Sequence, residues 1–282
     1  MQNPPPPDTA LAPPPEIGFE AALAALEWMV ELGVSEPVGD IPVNAYELPE
    51  RLVIPERPAS APAPRADRPQ PPARGMAAEG PDPVTLARQV AAKAATLEAL
   101  REAIEDYDLC PLKQGARNTV FADGNPKARV MLIGEAPGRD EDLQGKPFVG
   151  RAGQLLDRML AAIGLDRGSP DPARAVYIAN VLPWRPPVNR DPEPAEIAQM
   201  LPFLARHVEL VDPDLIVLMG NTACAAALGT RGITRLRGSW TEAFGRPALP
   251  TLHPANLLRA PANKRLVWAD LLSLRARLEG RA

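Results

Sequence analysis

Proline decides where this chain is able to fold. Of its 36 prolines, 19 precede Val84. A residue that lacks an N–H and restricts its predecessor cannot sustain regular structure at that density. A packed core is therefore expected only behind that point. Residues 1–15 are expected to be extended or disordered. Within 16–54, Ile17, Ala21, Leu23, Leu26, Met29, Val30 and Leu32 keep a helix-like spacing that Gly33 closes, so one short helix of unassigned role is expected. Residues 55–84 read as a proline-rich linker and residues 85–282 as the folded domain.

The charge divides at the same place. Residues 1–84 hold 13 acidic and 5 basic side chains, which leaves 22 acidic and 26 basic behind them, a surplus of 4 beneath an overall charge of −4. Such a surplus permits contact with phosphate polyanions without announcing it. Two cysteines, Cys110 and Cys224, exclude a disulfide scaffold and suit a reducing compartment. The opening Met-Gln-Asn-Pro-Pro-Pro-Pro has no basic or apolar leader region, and no stretch is apolar enough to span a bilayer. A cytoplasmic protein with no membrane association is expected.

From Thr85 onward helix and strand patterns alternate. Thr85–Tyr107 is expected as one amphipathic helix, followed by a strand at Arg129–Ile133, a helix at Gly153–Ile163 and a strand at Ala175–Asn180. Then come a helix at Pro194–Leu210, a strand at Leu215–Met219, a helix at Thr222–Leu228, a strand at Ala248–Leu252 and a helix at Lys264–Leu278. That alternation implies an α/β fold of three αβα layers around a mostly parallel, four-stranded sheet. Ligands of such sheets bind outside the carboxyl ends of the strands.

The unusual clusters fall at those ends. The first strand runs into Gly134-Glu135-Ala136-Pro137-Gly138 and on to Gly145-Lys146-Pro147-Phe148-Val149-Gly150-Arg151-Ala152-Gly153. Glycines at both ends of this loop allow close backbone approach. A nucleotide-binding turn is one reading, but GxGxxG and the P-loop pattern are both missing, and a carboxylate directly after the strand suits chemistry on a neutral ligand or water. Asn180 ends the second strand. It serves either as a turn cap or as a reader of a base edge that carries a carbonyl beside an N–H. His253 follows the last strand in His253-Pro254-Ala255-Asn256-Leu257-Leu258-Arg259, where a site is expected. His207, within a helix, reads as a surface or cap residue.

Together these clusters resemble family-4 uracil-DNA glycosylases over about Asp108 to Leu272. The shared pieces are Gly134–Gly138, Gly145–Leu156, Asn180 with Arg185-Pro186-Pro187 and Asn189-Arg190 downstream, Leu236-Arg237-Gly238, and His253–Arg259. The resemblance implies hydrolysis of the N-glycosidic bond of uracil in DNA, with the base turned out of the stack into a pocket. It assigns Phe148 to stacking on the base, with Ala136 beside it, and Asn180 to pairing with the base's amide edge. His253 would polarise the O2 carbonyl, and Glu135 would position the attacking water with Glu141 in support. Arg185, Asn189, Arg190, Arg237 and Arg259 are expected on DNA. Leu257 and Leu258 are expected either to wedge into the space left by the base or to pack in the core.

The family resembled holds a four-iron four-sulfur cluster through four cysteines, and here the matching positions read Tyr107, Cys110, Trp184 and Met200. One thiolate is too few for such a cluster. A packed plug without metal is expected there, and no cofactor. Cys224, inside a helix, reads as a small buried residue. The stretch Gly229–Gly238 lacks the histidine of the family's cross-linking relatives, so no covalent trapping of DNA is expected. The expected partner is uracil-containing DNA, bound by a monomer. Two other readings remain open: a non-catalytic DNA-binding module whose N-terminal extension recruits a repair or replication protein, and a small-molecule N-glycosidase.

Overall fold

The computed structural model describes residues 82–280. The expectations for residues 1–15, for 16–54 and for the linker up to residue 81 lie outside the described residues.

The first helix opens two residues earlier than the sequence suggests. Asp82 accepts the Thr85 N–H at 3.0 Å and caps α1 (Pro83–Lys93), which begins with proline, a residue suited to a position whose N–H would be unpaired. The single helix expected over Thr85–Tyr107 is in fact two. The chain turns extended at Ala94, and Thr96 caps α2 (Leu97–Glu105) by accepting the Ala99 N–H at 3.2 Å. Local capping overrides the continuous apolar spacing here. A short α3 (Leu112–Gly115) follows.

The sheet has six strands, not the expected four. Its order is β1-β3-β2-β4-β6-β5, built from β1 (Ala122–Gly124), β2 (Val130–Gly134), β3 (Val176–Asn180), β4 (Leu215–Met219), β5 (Thr241–Ala243) and β6 (Arg246–Thr251). The four expected strands form the parallel centre, and β1 and β5 add antiparallel edges. The edge strands were missed because each has only three residues, too short to show an alternating pattern. Every residue of β2, β3 and β4 is buried, as parallel strands covered on both faces require. Pro250 fits in β6 because β5 pairs only as far as Ala248, leaving β4 as the one flanking strand beyond that point, while the Pro250 carbonyl accepts the Gly238 N–H at 3.0 Å.

Between the strands run α4 (Arg139–Gln144), α5 (Arg151–Ala162), α6 (Pro194–Val211), α7 (Gly220–Leu228) and α8 (Ile233–Leu236), and after the last strand come α9 (Pro254–Arg259) and α10 (Lys264–Leu278). Helix α6 carries α1 and α2, while α7 lies on β4 and β2 and α9 packs against α5. His207 of α6 is no surface residue. It is 4% exposed, stacks on Phe121 with ring centroids 4.4 Å apart, and shares a 2.9 Å hydrogen bond with the Tyr177 hydroxyl. Burial pulls its pKa down to about 3, so it packs as a neutral aromatic.

Register sets the site. Gly134 pairs with Asn180, Ile133 with Leu218, and Met219 with Thr251. Glu135, Asn180, Gly220 and His253 therefore emerge along one edge. From β2 the chain crosses to β3 on one side, and β4 lies on the other, which makes this edge the crevice where strand order reverses.

Candidate active site

A cavity of about 210 Å³ opens at that edge, lined among others by Glu135, Ala136, Glu141, Phe148, Asn180, Asn189, Arg190 and His253. It is smaller than the roughly 300–1,000 Å³ typical of pockets for drug-sized ligands. The size suits a single planar ring better than a whole nucleotide.

Gly134 lets the walls close. A Cβ there would lie 2.4 Å from Asn180 Oδ1 and 2.6 Å from the Phe148 ring, so any side chain would fill the space where these two residues meet. Asn180 is 8% exposed, and its Oδ1 is buried without a hydrogen-bond partner. Leaving such an acceptor unpaired is costly and uncommon. Asn180 is among the residues that line the cavity.

Glu135 is fixed from the far side of the crevice. The Thr222 hydroxyl, at the start of α7, donates to Glu135 Oε2 at 2.6 Å. Sequence reasoning missed Thr222, which lies 87 residues away and belongs to no motif; only the parallel pairing of β2 with β4 brings the two together. Glu141 lines the cavity with one carboxylate oxygen already engaged. Its Oε1 accepts the Val149 and Gly150 N–H groups at 3.0 and 2.9 Å, which ties down the loop that carries Phe148.

His253 caps α9, and its Nδ1 accepts the Ala255 N–H at 3.2 Å. Burial first, and the Arg259 charge second, pull its pKa down to about 4. At neutral pH the ring is uncharged. With Nδ1 accepting, the proton sits on Nε2, so the free nitrogen is a donor. The His253 and Phe148 rings lie 5.4 Å apart at a 32° tilt, which puts a stacking face and a donor in one pocket.

The expected DNA contacts divide. Arg185 donates to Asn189 Oδ1 at 2.8 Å, and Arg190 forks onto Glu196 at 3.0 and 2.5 Å, holding that carboxyl below the usual carboxylate range. Between them Val188 stands 91% exposed with φ 53°. Arg237 is corrected: it is committed to Asp270 and to the Leu266 carbonyl, its side chain only 17% exposed, so it is not free for phosphate. Of the two leucines, Leu257 is 1% exposed and packs in the core, whereas Leu258 is 39% exposed and Arg259 is exposed.

The positions that resemble cluster ligands are filled by packing. Tyr107, Cys110, Trp184 and Met200 are each 4% exposed or less. Tyr107 meets Phe203 edge-on at 5.2 Å and donates to the Pro83 carbonyl at 2.9 Å, and Trp184 donates to Thr119 at 3.1 Å. Burial pushes the Cys110 thiol up, against the thiolate a cluster needs. This donor set does not fit a four-iron cluster. Among the described residues no three or more His, Cys, Asp or Glu side chains are grouped to hold a metal ion.

The model of the uracil DNA glycosylase superfamily matches residues 121–272. A type-4 uracil-DNA glycosylase of Thermotoga maritima is 38% identical over 180 residues, covering 62% of this chain and 91% of that protein. The type-4 enzyme of Sulfurisphaera tokodaii is 37% identical over 190 residues, 64% of this chain and 84% of that protein. That of Archaeoglobus fulgidus is 42% identical over 161 residues, 54% of this chain and 78% of that protein.

Proposed function

The chain belongs to the uracil-DNA glycosylase superfamily, and we propose from that premise that its pocket hydrolyses the N-glycosidic bond of uracil in DNA and leaves an abasic site. The protein is a DNA-repair hydrolase. The observation that carries the reading is the buried, unpartnered Asn180 Oδ1. Uracil offers an imide N–H to that oxygen and a carbonyl to the amide N–H beside it. Cytosine offers a lone pair and an amino group in the same places and leaves both amide atoms mismatched.

The remaining groups follow the charge. Phe148 stacks on the base that has been turned out of the duplex, next to Ala136. As the bond from C1′ to N1 breaks, its electron pair leaves with the base, and the charge gathering on O2 meets the Nε2–H of neutral His253. Donors preorganised for developing charge are the largest usual source of such catalysis. Glu135, steadied by Thr222, holds the water that adds to C1′, takes its proton, and stabilises the cationic sugar. Glu141 acts through the Phe148 loop. Asn189 and Arg190 line the cavity, and with Arg185, Leu258 and Arg259 they contact the DNA.

The enzyme works as a monomer without an iron–sulfur cluster. What supports the second point is the set Tyr107, Cys110, Trp184 and Met200, which offers one thiol. Two free, buried cysteines suit a reducing cytoplasm, and no helix among the described residues is long and apolar enough to cross a membrane.

Incubation with uracil-containing oligonucleotides followed by cleavage of abasic sites tests the activity. Strand cleavage that depends on uracil is expected from colourless protein and is expected to survive chelation. Binding without excision would leave a DNA-binding module that recruits a repair or replication protein through its N-terminal extension. Stoichiometric iron and sulfide would overturn the metal-free reading.

A further inference from the structure

The ring that faces the base is carried on backbone that an aromatic residue does not adopt unaided. Phe148 has φ 54°, in the left-handed region where a bulky residue is strained and persists only if its surroundings over-determine it. On the amide side, Glu141 takes the Val149 and Gly150 N–H groups. At the back, a Cβ on Gly153 would sit 1.8 Å from the Phe148 carbonyl oxygen, so the first turn of α5 closes tightly on the loop.

The carbonyl side is held by a residue outside the pocket. Arg167 reaches over from the turn after α5, donating from Nη1 to the Pro147 carbonyl at 3.0 Å and from Nη2 to the Phe148 carbonyl at 2.9 Å. The arginine is itself anchored. Its Nε donates to Asp157 at 2.8 Å, Nη1 lies 3.3 Å from Asp123, and the side chain is 15% exposed. Its turn is pinned as well, because Gly168 N–H donates to Asp166 Oδ1 at 2.9 Å and Asp166 N–H to the Arg174 carbonyl at 2.8 Å. A guanidinium presents its donors in one rigid plane. Two successive carbonyls bound by that plane leave the Phe148 backbone little freedom.

We propose that Arg167 is a positioning residue for Phe148. It fixes the height and tilt of the stacking ring, and so sets both affinity for the extruded base and the excision rate, without touching base or DNA. The inference rests on the glycosylase reading of the pocket.

The test compares the full-length protein with Arg167→Gln, Arg167→Lys and Asp157→Asn. Amide hydrogen exchange over residues 145–150 is expected to be faster in Arg167→Gln than in the parent. Its single-turnover excision rate is expected to fall about tenfold, equivalent to roughly 1.4 kcal/mol of barrier. Free uracil is expected to inhibit it about tenfold more weakly, while affinity for undamaged DNA stays within about twofold, since the arginine makes no phosphate contact. Arg167→Lys, which keeps the charge but not the fork, should fall between the two, and Asp157→Asn should show a smaller loss of the same kind. Should Arg167→Gln fail to fold, these two variants carry the same readouts. Unchanged exchange and unchanged excision would overturn the clamp. So would a rate loss matched by lost DNA affinity with uracil inhibition unmoved. A parental protein that leaves uracil in DNA would instead overturn the glycosylase reading, and amide exchange would still judge the clamp.

Discussion

The pocket at the strand ends and the aromatic patch around Trp184 differ in what they leave unfinished. In the pocket, Asn180 Oδ1 has no partner and Phe148 sits in left-handed backbone. In the patch, the Tyr107 hydroxyl reaches the Pro83 carbonyl and the Trp184 N–H reaches Thr119, with Phe203 packed against Tyr107. A buried acceptor left unpaired is to be completed by a ligand, and strained backbone persists where its surroundings over-determine it. Satisfied aromatics mark a place that contributes stability. The difference therefore separates chemistry from support within a single core.

Each region also holds one of the two histidines, and acid should expose both. His253 and His207 have folded pKa values lowered to about 4 and about 3 from an ordinary 6.5. Below 6.5 the unfolded chain binds protons that the folded one refuses. The stability is thus fully present above about pH 6.5 and is lost as pH falls towards 4 and then 3. Against the 5–15 kcal/mol of a typical domain, this is the largest effect expected. Denaturant titrations at stepped pH should show it, and a stability that stays flat from pH 7 to 4 would contradict the burial of these rings.

The next effects separate the regions by readout. His253→Ala should slow single-turnover excision about 100–1,000-fold, the usual loss for such a donor, with little change in DNA affinity. Asn180→Asp presents an acceptor to the uracil carbonyl. Excision of uracil should fall roughly 10–100-fold, and any gain on cytosine would show in the same assay. Parental rates in both variants would sink the pocket assignment. Thr222→Val should cost about tenfold in rate through Glu135, and Thr222→Ser should restore it, since the serine hydroxyl makes the same bond. The smallest effect belongs to the patch. Tyr107→Phe should lower unfolding free energy by about 0.5–1.5 kcal/mol and leave excision alone. A change in rate there would erase the boundary between the regions.

Much of the site was legible because its residues cluster in sequence. Glu135 and His253 follow strands, Asn180 ends one, and Phe148 sits on the loop after α4; the strands were visible as short apolar runs. The role of Arg237 was not legible, because a basic residue near DNA motifs and a basic residue paired inside the fold look alike in sequence. Asp270, the partner that decides between them, lies 33 residues on. His207 was misread for a similar reason: its partners, Phe121 and Tyr177, come from a preceding loop and from β3.

The sequence by itself determined the parallel centre of the sheet, the edge on which the site lies, and the loss of three of the four thiolates. These depend on local spacing and residue type. Tertiary structure alone decided the edge strands, the hydroxyl from Thr222 on Glu135, the Arg167 fork on the Phe148 loop, and the pairing of Arg237 with Asp270. Those depend on parallel crossovers that bring distant segments within hydrogen-bonding distance, and no local pattern in the chain encodes the pairing of partners so far apart.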